Sequence, residues 1–83
     1  MILVELYSKE DCHLCDRALD VVRRVRNKIP FELHVIKLKE GDEQFEVYKE
    51  RFPVVTINKE FAFQYRVPEA EMIEKLERAL VRR

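Results

Sequence analysis

The chain carries two cysteines, Cys12 and Cys15. With two residues between them, one helical turn brings the sulfurs together. Thiols at this spacing exchange disulfides, bind metal, or stand as a static disulfide or two inert thiols. Structural zinc takes four ligands, and neither His13 nor His34 completes a set with this pair. Metal binding within one chain is therefore not expected, and the placement of the pair between a strand and a helical pattern favours disulfide exchange over a static or inert pair. The thiolate attacks, not the thiol, and a free cysteine has a pKa of roughly 8.5. Cys12 falls where a helical pattern begins. Unpaired backbone N–H groups and the positive end of the helix dipole favour the anion there. Lys9 adds positive charge from the loop, while Glu10, Asp11 and Asp16 oppose it.

The flanking sequence supplies elements to hold that site. Ile2–Tyr7 is nearly all apolar, as a strand buried on both faces must be. From Leu14 the period changes: Leu14, Ala18, Val21, Val22, Val25 and Ile29 define one helical face, and Pro30 stops the helix. Phe31, Leu33 and Val35 alternate with Glu32 and His34 in a second strand running to about Leu38. Asp42 caps a short helix with Phe45, Tyr48 and Phe52 inward, ended by Pro53. Val54–Ile57 and Glu60–Tyr65 form a hairpin turning at Asn58-Lys59, with Phe61, Phe63 and Tyr65 on one face. Pro68 opens a helix bearing Met72, Ile73, Leu76, Ala79 and Leu80, with Arg78, Arg82 and Arg83 at its C-terminal end. The order β-α-β-α-β-β-α predicts an α/β fold. A parallel pair followed by a hairpin makes a four-stranded mixed sheet, with three helices on both faces.

At 83 residues the chain is expected to be a single domain, 1–83. Lys+Arg and Asp+Glu are both 16, so the basic excess that nucleic acid demands is missing. The apolar start is broken by Glu5, too early for a signal-peptide core or a membrane span. A cytoplasmic, monomeric protein is expected.

Beyond element order, two stretches resemble a known family. Tyr7-Ser8-Lys9 followed by Cys12-x-x-Cys15 is similar to the active-site entry of small glutaredoxins in the thioredoxin superfamily. Arg51-Phe52-Pro53-Val54-Val55-Thr56-Ile57-Asn58 is similar to the segment holding that family's cis-proline and the hairpin after it. The resemblance spans essentially the whole chain. Three details differ. His13 and Leu14 stand between the cysteines where the family usually has Pro and Tyr. Arg51 and Phe52 replace Thr and Val before the proline. Phe61-Ala62-Phe63-Gln64-Tyr65 lacks the Gly-Gly pair that helps hold glutathione.

The resemblance implies a thiol–disulfide oxidoreductase that reduces protein or glutathione mixed disulfides. Cys12 is the expected nucleophile and Cys15 the resolving thiol. Lys9, His13, Phe52, Pro53 and Val54 are the expected substrate-binding residues, and no bound cofactor is implied. The electron donor is left open between glutathione and a thioredoxin-type reductase. The rival reading is a non-catalytic binding domain on the same fold, its cysteines structural or vestigial.

Overall fold

The computed structural model describes residues 1–81. Arg82 and Arg83, expected at the end of the last helix, lie outside the described residues. The elements run β1 (Leu3–Ser8), α1 (His13–Lys28), β2 (Glu32–Lys37), α2 (Glu43–Tyr48), β3 (Val54–Ile57), β4 (Glu60–Gln64) and α3 (Glu69–Val81). The sheet order is β2-β1-β3-β4. β1 pairs parallel with β2 and antiparallel with β3, and β3 pairs antiparallel with β4. The expected mixed four-stranded sheet and three helices are thus present.

Period-two alternation divides β1 between the two faces. Val4 and Leu6 join Val55, Ile57 and Phe63 beneath Ala18, Val22 and Val25 of α1 and Met72 and Leu76 of α3. Each such large apolar side chain contributes about 1.5–3 kcal/mol on burial. α3 is further tied to α1 by Glu69, which bridges Lys28 at 3.1 Å and Arg24 at 3.4 Å. On the opposite face, Tyr7 and Val54 form a smaller cluster, against which Phe45 and Tyr48 of α2 pack. Glu5 shares that face. Its carboxylate accepts from the Thr56 hydroxyl at 3.3 Å and the Lys59 ammonium at 3.2 Å.

The turn between β3 and β4 is Asn58-Lys59, with φ of 52° and 71°. Positive φ at both centres is what a tight hairpin turn requires. Asn58 also extends the β1 ladder: its side-chain oxygen accepts from Leu3 N–H at 2.9 Å.

Several details depart from the expected pattern, among them the exposure of Val35 and Leu80. Leu14 is exposed, and Cys15 takes the inward position in the first turn of α1. A bulge at Ala62 breaks the alternation of β4: Val55 faces Phe63, yet the adjacent Thr56 faces Phe61. Ala62 and Phe63 are consequently both buried, while Phe61 is exposed. Tyr65 leaves the strand with φ of 67°. α2 ends at Tyr48, well before Pro53, and Arg51 N–H closes a turn on the Tyr48 carbonyl at 2.8 Å.

Candidate functional site

The parallel pair β1 and β2 ends at one edge of the sheet, a usual place for sites in α/β folds. Leu38 N–H donates to the Ser8 carbonyl at 2.8 Å and holds the two strand ends level. Between Ser8 and α1 the chain reverses through a short loop. Asp11 takes a φ of 52° there, a left-handed conformation that Asp tolerates better than most residues.

That loop delivers Cys12 as the N-cap of α1. Its backbone is extended, and its carbonyl accepts the first helical bond, from Asp16 N–H at 3.1 Å. Its sulfur accepts from Cys15 N–H at 3.2 Å, standing in for the oxygen of an ordinary Ser or Asp cap. The N-terminal dipole of α1 therefore points at the sulfur. Cys12 is half-buried and Cys15 is 4% exposed. The two form a disulfide with Cα atoms 5.2 Å apart.

Around them packs the smaller cluster, with Tyr7, Leu38, Phe52 and Val54 buried. Phe52 is held by Phe45, ring centres 5.6 Å apart, and Tyr7 by Tyr48 at 5.2 Å. Burial pushes the Tyr7 hydroxyl pKa up, and the negative charge of Glu5 adds to this, so Tyr7 stays neutral behind the site. The Phe52–Pro53 bond is cis. The Pro53 carbonyl accepts from Tyr65 N–H at 3.0 Å, and the Tyr65 hydroxyl donates to the Glu50 carbonyl at 2.7 Å. The segment after β4 is thereby fastened to the loop before β3.

The residues predicted from sequence fall as follows. Phe52, Pro53 and Val54 are buried, so their side chains offer a substrate little surface. Lys9 is half-buried, its ammonium 5.9 Å from the centre of the Phe52 ring. His13 is exposed at the first position of α1. The sequence marks Tyr7 as part of the entry to the cysteines but gives Leu38, Phe45 and Tyr65 no role at the site. The strand–helix–strand order is one clue, since it demands a parallel pair, and that pair sets Tyr7 beside Ile36 and Ser8 beside Lys37 at the level of the loop. Between α1 and β2 lies a cleft of about 440 Å³, lined by both cysteines and by Leu6, Leu19 and Val35. Among the described residues, no group of three or more His, Cys, Asp or Glu is placed to hold a metal. No helix there is long and apolar enough to cross a membrane.

Comparison with known proteins agrees with this geometry. XcR50 of X. campestris, a structural-genomics target, superposes with a TM-score of 0.75 at 20% identity, over 90% of this chain and 96% of that one. Chloroplastic thioredoxin z gives 0.72 at 13% identity, over 98% and 80%. Glutaredoxin 1 from Francisella tularensis, solved with cacodylate, gives 0.56 at 12%, over 99% and 100%. These likenesses establish a thioredoxin-like fold. A Cys-x-x-Cys pair at the mouth of α1 on that fold supports a thiol redox role. The family model described as Glutaredoxin-like domain (DUF836) matches residues 3–77. This chain belongs to that glutaredoxin-like family.

Proposed function

We propose that the protein is a cytoplasmic thiol–disulfide oxidoreductase that reduces protein or glutathione mixed disulfides. The reading is carried by the difference between the two sulfurs. Cys12 is half-exposed, caps a helix and accepts a backbone N–H, while Cys15 is buried one turn behind it. Amide dipoles at the helix mouth favour the Cys12 thiolate in the reduced protein.

The thiolate attacks a substrate disulfide, forming a bond between Cys12 and one substrate sulfur. The other substrate sulfur leaves as a thiolate and takes a proton from water. Cys15, deprotonated, then attacks the Cys12 sulfur. This closes the Cys12–Cys15 disulfide and releases the second substrate thiol. Two electrons pass from the protein dithiol to the substrate. An external dithiol, or two molecules of glutathione, resets the pair. The substrate approaches along Lys9, His13 and the Phe52–Val54 segment. Contact with that segment is through the Phe52 main chain, since the Pro53 carbonyl already accepts from Tyr65.

Cys12→Ser should abolish reduction of insulin or of a glutathionylated protein, assayed with glutathione and thioredoxin systems in parallel. Full activity in that variant would sink the assignment. The parallel assay also identifies the donor.

A further inference from the structure

The two flanks of the dithiol differ. On the Pro53 side, Phe52 is 5% exposed, Pro53 and Val54 are buried, and the Lys9 ammonium sits over the Phe52 ring. On the other flank, the cleft between α1 and β2 reaches both sulfurs. Its apolar lining is Leu6, Leu19 and Val35. Val35 is 44% exposed although it pairs with the fully buried Leu6. β2 is an edge strand, and among the described residues no further strand lies beyond it. Lys9, Asp11, His13 and Asp16 border the cleft beside the cysteines, and Lys37 borders it on β2, so its charges are mixed and its apolar floor is what distinguishes it.

We propose that this α1–β2 cleft is a substrate subsite that seats an aliphatic side chain adjacent to the reactive cysteine of a polypeptide disulfide. The inference rests on the oxidoreductase reading and narrows its substrate class to polypeptides. Cys12, Leu19 and Val35 line one cleft, so with a substrate sulfur on Cys12 a neighbouring side chain can lie on Leu19 and Val35. Apolar surface there rewards an aliphatic group, because contact removes both partners from water. Glutathione brings none. Its cysteine is flanked by a glycine and a γ-linked glutamate, whose short polar arms would leave Leu19 and Val35 in water. A polypeptide can bring an aliphatic side chain to the same position.

The test uses the full chain, pre-reduced and mixed with peptide disulfides in single turnover, so that no donor is needed. Symmetrical disulfides of a Leu-Cys-Leu peptide and a Gly-Cys-Gly peptide are compared with glutathione disulfide. The leucine peptide should oxidise the protein about tenfold faster than the glycine peptide, the scale expected for partial burial of one aliphatic side chain. Glutathione disulfide should be slower than the leucine peptide. Val35→Asp should bring the leucine-to-glycine ratio close to one, with folding checked by thermal melting. Val35→Thr, a milder change at an exposed strand position, should lower the ratio part way and decides the matter if Val35→Asp does not fold. A ratio near one in the native chain, or a ratio untouched by Val35→Thr and Val35→Asp, overturns the subsite and leaves the oxidoreductase intact. Failure of all three disulfides to oxidise the protein overturns the oxidoreductase reading, and the subsite with it.

Discussion

Removing one hydroxyl should cost this protein more than removing a whole lysine side chain. Glu5 sits on the central strand β1, and its side chain is 7% exposed. Its carboxylate has two partners, the Thr56 hydroxyl at 3.3 Å and the Lys59 ammonium at 3.2 Å. Thr56 is buried, whereas the Lys59 side chain is 72% exposed. A hydrogen bond to a charged group is worth about 1.5–3 kcal/mol, and the long 3.3 Å contact places this one toward the lower end. Thr56→Val keeps the shape and leaves a buried carboxylate short of a donor, so we expect a loss of about 1.5–2 kcal/mol. For a chain this size that lowers Tm by roughly 6–16 °C. Lys59→Ala removes an ion pair screened by solvent, and its cost should stay within about 1 kcal/mol. Urea unfolding at neutral pH measures both. The double variant Glu5→Leu/Thr56→Val should recover much of the loss, because an apolar pair has no desolvation cost to offset. A Thr56→Val cost below about 0.5 kcal/mol, or a larger cost for Lys59→Ala, would show that water reaches the carboxylate and refute the reasoning.

Other expectations follow from the site and the helix pair. Cys15→Ser should stop the reaction after the first attack, so that a Cys12–substrate mixed disulfide accumulates and is seen as an added mass under non-reducing conditions; rapid turnover in that variant would show that Cys15 does not resolve the intermediate. Glu69 is held below the usual carboxylate pKa, first by its hydrogen bond with Lys28 and then by Arg24. A lowered pKa contributes stability that is present above the ordinary value of 4.5 and is lost as pH falls through the folded-state value. Glu69→Gln should therefore be less stable than the native chain at neutral pH, with the gap narrowing below pH 4.5; a gap independent of pH would mean that the bridge to α1 contributes nothing.

Much of this molecule is written in local pattern. Apolar alternation in β1, the three- and four-residue steps of α1 and α3, and Asn58 in the hairpin turn determine element order. Element order then leaves few topologies, because a strand–helix–strand unit demands a parallel pair. The Cys12–Cys15 spacing and its position before α1 also make the chemistry legible, since capping is decided within a few residues. Sequence alone misplaced Leu14, because the helical face at the first turn belongs to Cys15, whose burial depends on Tyr7, Phe52 and Leu38 from distant segments. It put Phe61, Phe63 and Tyr65 on one face, because a bulge follows from pairing with β3 and leaves no mark in β4 itself. The exposure of Val35 is likewise a matter of assembly. Alternation marks it as inward, yet it lines the open cleft between α1 and β2, whereas Leu33 on the same face of that strand packs against the core. The place of the cysteines at the mouth of α1 is thus fixed by the chain's own order, while the residues packed around them and the surface beside them are set by which neighbours the sheet brings alongside.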